Sequence, residues 1–170
     1  RPFMRDRVEE STMMFVLHNF QLGRLGGEPN RESLKKAYGF ILQHVNDGRY
    51  VTTGETRQSL VPGGVNELGA YHYWADTFRP AGAPAATPEV IAYNQGLLCV
   101  TLRCLEEMGI AVDPQLRPQA EEAYRGMVNP EDGVSLPQRE GSTIMDVASL
   151  VGEALSLYLF DAPLLPTERV

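Results

Sequence analysis

The residues most able to do chemistry are carboxylates placed between helical segments: Asp47, Glu55, Glu67, Asp76 and Glu89, then Glu131, Asp132 and Glu140. Hydrolysis of a glycosidic bond uses two carboxyls flanking that bond, one protonated as the acid and one ionised as base or nucleophile. Glu67 follows Gly63-Gly64-Val65-Asn66 and leads into an aromatic cluster, surroundings that suit the acid. Asp76 lies inside that cluster, and Glu140 comes from a second loop, between Gln138-Arg139 and Gly141. These three are the candidate catalytic residues. The cluster itself sets Tyr71, Tyr73, Trp74 and Phe78 within eight residues, beside His72, Asp76 and Arg79, and holds the chain's one tryptophan. Aromatic faces stack on the C–H faces of a sugar while neighbouring polar groups bond its hydroxyls. The same aromatics would equally serve to pin a long loop to the helices. Both readings stay open at this point.

Other chemistries find less support. His18, His44 and His72 show no HExxH motif and no i,i+4 pair, so no metal ligand set is expected, and no cofactor. Ser59, Ser135 and Ser142 lack a GxSxG elbow. Gly26-Gly27 and Gly63-Gly64 read as turn glycines, since neither follows a strand and opens a helix. Cys99 and Cys104 sit five apart on one predicted helix, with their Cα atoms about 8 Å apart on different faces, beyond ordinary disulfide reach. They read as small buried hydrophobes, which leans the localisation toward a reducing compartment such as the cytoplasm.

Composition sets the frame for these groups. The 170 residues carry 15 Lys+Arg against 22 Asp+Glu, a net charge of −7, with 43% hydrophobic and 22% charged residues. Those fractions are those of a globular chain, and the length suits one domain. The acidic balance, with scattered basic residues, argues against a nucleic-acid partner. No apolar run approaches the roughly 18 residues of a membrane span, so no membrane partner is expected.

The elements that must position the carboxylates are helical. Periodicity predicts helices over 6–22, 32–45, 89–108, 114–127 and 144–160, and no stretch alternates as a strand. Asn30, Thr87-Pro88-Glu89 and Asp113-Pro114 supply start signals, and Gly109 a left-handed stop. The first, third and fifth helices are apolar nearly all round, whereas the second and fourth have one apolar face, which predicts an inner, outer, inner, outer, inner order. Inner-to-outer connections are short and outer-to-inner ones long, at 47–88 and 128–143. Both long loops open alike, with Val45-Asn46-Asp47-Gly48 and Val128-Asn129-Pro130-Glu131-Asp132-Gly133. The expected fold is all-α, a single domain of antiparallel helical hairpins with elaborated loops where the inner helices begin. A plain helical bundle with one inserted loop is the alternative.

The stretch Tyr71-His72-Tyr73-Trp74-Ala75-Asp76-Thr77-Phe78, followed by Pro88-Glu89-Val90-Ile91-Ala92-Tyr93-Asn94-Gln95-Gly96-Leu97, resembles the six-hairpin (α/α-toroid) glycosidases, including the glycogen-debranching amylo-glucosidase type. The resemblance covers about thirty residues locally, and the remainder in pattern. It implies part of an (α/α)6 toroid, about two and a half of its six hairpins, with a substrate funnel at the inner helices' N-terminal ends. It implies a carbohydrate substrate, with Tyr71, His72, Tyr73, Trp74 and Arg79 as binding residues, and Tyr93, Asn94 and Gln95 matching the helix-entry motif in either a structural or a substrate-binding role. A part-toroid leaves inner helices uncovered, so it also implies a homodimer or the remainder of a longer chain as partner. The competing expectation is a non-catalytic helical scaffold whose loops bind a carbohydrate or a protein.

Overall fold

The computed structural model describes residues 9–52, 57–58, 67–68, 89–131, 133, 135–137, 140 and 147–165. Five α-helices dominate: α1 (Glu9–Arg24), α2 (Arg31–Leu42), α3 (Ala92–Glu107), α4 (Leu116–Gly126) and α5 (Val151–Phe160). The class is therefore largely all-α, as the periodicity predicts.

Local chemistry accounts for the helix ends. The Asn30 side chain accepts from the Ser33 N–H at 3.0 Å and starts α2, while its own N–H donates to Asn19 Oδ1 of α1 at 3.2 Å. Gly109 sits at φ +71°, where the Ile110 N–H reaches Leu105 O and the Gly109 N–H reaches Glu106 O, a left-handed stop for α3. The Arg31 guanidinium donates to Met108 O and Gly109 O, placing a cation on the carbonyl end of α3. Asp113 Oδ1 accepts from the Gln115 N–H at the start of α4.

Two expectations need correction. The third helix begins at Ala92, because Glu89–Val90 is a strand; within the described residues the fifth passes from a 3-10 turn, Val147–Leu150, into α5, and positions 144–146 lie outside them. The expected absence of strands is also wrong. The chain forms β1 (Val45–Asn46), β2 (Arg49–Thr52), β3 (Arg57–Gln58), β4 (Glu67–Leu68) and β5 (Glu89–Val90). Strands of two to four residues are too short to display alternation, so their signal lies in the turn instead. Asp47 at φ +46° and Gly48 at φ +75° make the two-residue hairpin turn that Asp-Gly favours. The antiparallel sheet runs β1-β2-β5, with Asn46 opposite Arg49 and Val51 opposite Val90; β3 and β4 pair separately, with Gln58 opposite Glu67.

Helix α3 is the axis of the fold. It packs on α1, α4 and α5, while α2 lies on α1. Thirteen of its residues are buried, from Ala92 to Leu105. Gly96 meets Gly152 near the starts of α3 and α5, and Arg103 lies 4.2 Å over the Phe160 ring near their ends. Those two contacts make α3 and α5 run in the same direction. Phe20 packs on Phe160 with ring centroids 5.4 Å apart, and Arg24 donates to Leu159 O, so α1 ends beside them and runs the same way. The outer helices α2 and α4 return antiparallel. Among the described helices only α3, however, is enclosed through most of its length, with Glu107 exposed in its last turn. Helix α1 buries Met13, Val16, Leu17 and Phe20 but leaves Phe15 and Leu22 exposed, and α5 leaves Leu157 and Tyr158 exposed.

Both cysteines are free and buried in α3. Burial pushes the Cys104 thiol up to about 12, and pushes the Cys99 thiol and the Tyr124 phenol higher still. Above about pH 9 the unfolded chain releases these protons while the folded chain keeps them. The unfolded state then binds fewer protons, so stability falls as pH rises. Thermal melts are expected to hold level from pH 7 to about pH 8.5 and to drop steadily toward pH 11, with both thiols resisting iodoacetamide in the folded protein at pH 8. A melting temperature that rises across that window contradicts the assignment.

Candidate functional site

The sheet, the second long loop and the first turn of α3 come together at one end of the helices. Gln95 is the organising side chain. It is fully buried, yet its amide is complete: Oε1 accepts from the Tyr50 N–H at 2.7 Å, and Nε2 donates to Gly48 O at 2.8 Å and Ala120 O at 2.9 Å. One side chain of α3 thus holds the β1–β2 turn and the middle of α4. The turn sits so close to α4 that a Cβ on Gly48 would lie 2.6 Å from the Gln119 carbonyl carbon. Tyr50, with no exposed surface, stacks on His44 at 5.5 Å, and His44 meets Phe40 at 4.8 Å.

The second loop folds onto the same end. The Asn129 N–H donates to Ser135 O, the Gly133 N–H donates to Asn129 O, and Gly133 adopts φ +69°. The similar openings of the two long loops therefore share a feature, a positive-φ glycine closing a turn after an outer helix. Tyr124 Oη donates to Ser149 O at 2.7 Å and Ser149 Oγ to Pro137 O at 3.2 Å, tying α4, the loop and the start of α5. The Glu140 N–H donates to Val90 O at 3.0 Å, which docks the loop on β5.

Of the expected site residues, Glu140 is the carboxylate this region displays. It is half exposed and accepts from Arg49 Nε at 3.4 Å. Glu67 lies on β4, opposite Gln58. Asp76, Tyr71, His72, Tyr73, Trp74 and Arg79 lie outside the described residues. Tyr93 and Asn94 are buried in the first turn of α3. Gln95 is expected from the sequence in a structural or a substrate-binding role, and its amide is committed to three backbone partners. Arg49 is not among the expected residues; the Asp47-Gly48 turn flanked by Val45 and Tyr50 is the signal that could have placed it at a strand start.

Comparison with family models, curated proteins and solved structures finds no match for this chain. Among the described residues, no group of three His, Cys, Asp or Glu converges as a metal site, and no helix is long and apolar enough to cross a membrane.

Proposed function

We propose that the chain is a section of an α/α toroid that hydrolyses an oligosaccharide or glycoconjugate by two-carboxylate chemistry. One observation carries the reading: α1, α3 and α5 run in one direction with α2 and α4 laid outside, and the β1-β2-β5 sheet and Glu140 collect where α3 begins. In this scheme Glu67 is the general acid and Asp76 or Glu140 its ionised partner. Trp74, Tyr71 and Tyr73 form the sugar platform, flanked by His72 and Arg79. Tyr93, Asn94 and Gln95 shape the floor from the first turn of α3.

Glu67→Gln tests it on two substrates. Turnover of an unactivated oligosaccharide should drop about 10³-fold, because a poor leaving group needs its proton. Turnover of an aryl glycoside with an acidic leaving group should drop far less. Equal turnover of both substrates by the variant and the parent removes Glu67 from the mechanism.

The flanking helices bear on the same reading. The exposed positions of α1 between Ser11 and Leu22 are Ser11, Phe15, His18 and Leu22; those of the final helical segment include Val147, Leu150, Ala154, Leu157 and Tyr158. Neither stripe carries an acidic or basic side chain other than His18, and Val147 and Tyr158 are 85% and 76% exposed. A toroid section would cover such faces with further helices, from a longer chain or a second copy. Light scattering on the 170-residue chain should then show self-association; a monodisperse monomer at high concentration favours a self-contained helical binding module, the second reading.

A further inference from the structure

The Arg49–Glu140 pair holds two charged heads in the open above two anchored backbones. Gln95 grips the chain on either side of Arg49, through Gly48 O and the Tyr50 N–H, and the buried Tyr50 ring fixes the next residue. Glu140 is held through its own N–H on Val90 O. The side chains themselves are 47% and 51% exposed, and they meet through Arg49 Nε and Glu140 Oε1 alone. Both Nη groups of Arg49 and the second oxygen of Glu140 have no other hydrogen-bond partner among the described residues. An exposed pair of this kind contributes little to folding. Its arrangement is informative in another way: a guanidinium fork offers paired donors, and a carboxylate beside it offers an acceptor.

That combination selects its ligand. A hydroxyl can accept from Nη and donate to the carboxylate at once, so two adjacent hydroxyls match the fork. A phosphate or carboxylate ligand would gain the fork but face the Glu140 charge, on a chain of net charge −7. We propose that Arg49 and Glu140 form a subsite for a neutral vicinal diol of a sugar, with Gln95 as the positioning residue that sets Arg49 in place. The inference rests on the glycosidase reading for the class of ligand, and gives Arg49 a substrate contact that reading lacked.

The test measures binding rather than turnover. The purified chain is applied to an immobilised panel of neutral and anionic oligosaccharides, and the affinity of each neutral glycan retained is measured for the parent, Arg49→Ala and Arg49→Lys, alongside the melting temperature. Both variants should weaken binding about tenfold or more, at an unchanged melting temperature, since lysine keeps the charge but not the fork. Arg49→Lys decides the matter if the alanine variant fails to fold. Variant affinities within twofold of the parent overturn the subsite and leave the glycosidase reading standing. Retention of anionic glycans alone overturns the diol. A parent chain that retains no glycan removes the glycosidase reading, and the subsite with it.

Discussion

Gly152→Ala is expected to destabilise the protein by about 3 kcal/mol, at the upper end of ordinary overpacking. A methyl on Gly152 would lie 2.4 Å from the Gly96 Cα and carbonyl carbon, and 2.7 Å from the Gly96 oxygen. Those atoms are backbone of the enclosed helix α3, so no flexible side chain can swing aside. Relief requires α5 to move away from α3, which would also disturb the Phe160 contacts with Phe20 and Arg103. The sign is the informative part. Alanine is favoured over glycine in a helix by up to about 1 kcal/mol, so a net loss means that close approach outweighs propensity. Gly39→Ala supplies the control: Gly39 is exposed on α2, a methyl there would meet nothing within 4 Å, and the same substitution should stabilise by about 0.5 to 1 kcal/mol. Denaturant midpoints of the two variants should shift in opposite directions. A Gly152→Ala midpoint at or above the parent's would mean the helices do not cross at these glycines.

Gln95→Leu should cost about 4 kcal/mol, because it removes three buried hydrogen bonds at once, two of them to the β1–β2 turn. The Tyr50 N–H, Gly48 O and Ala120 O all bond to this amide. Leucine fits the volume, so the loss measures polar satisfaction rather than a cavity. Hydrogen exchange gives the sharper readout: the Tyr50 amide should exchange far faster in the variant, while amides in the middle of α3 keep their order of protection. An unchanged Tyr50 exchange rate would show that the hairpin is held by other contacts. Because a domain's whole stability is of order 5–15 kcal/mol, either variant removes a large fraction of it.

Helix order is legible in the sequence because its causes are local. The 3.6-residue spacing of Leu34, Ala37 and Ile41, the Asn30 cap and the Gly109 stop act within about four residues, and each is in place. The largely apolar character of the third helix likewise foretells that most of α3 is buried. The same inference applied to the first and fifth helices predicts more cover than α1 and α5 have, since apolarity states a need for burial and not what meets it. Glu140 is found at the loop end because the loop rhythm places it there. Arg49 escapes the periodicity because β2 is only four residues long, and the Asp47-Gly48 turn alone marks its place.

The helices, their order and the surface each needs covered follow from the chain alone, since propensity, capping and amphipathic spacing are properties of neighbours in sequence, whereas the short strands do not. Which glycines touch, where the Gln95 amide finds its partners, and which carboxylate meets Arg49 follow only from folding. Gln95 and Tyr50 are 45 positions apart, and Arg49 and Glu140 are 91 apart. Close approach and polar satisfaction are settled between such distant segments, by excluded volume and by the cost of leaving a buried donor or acceptor unpaired.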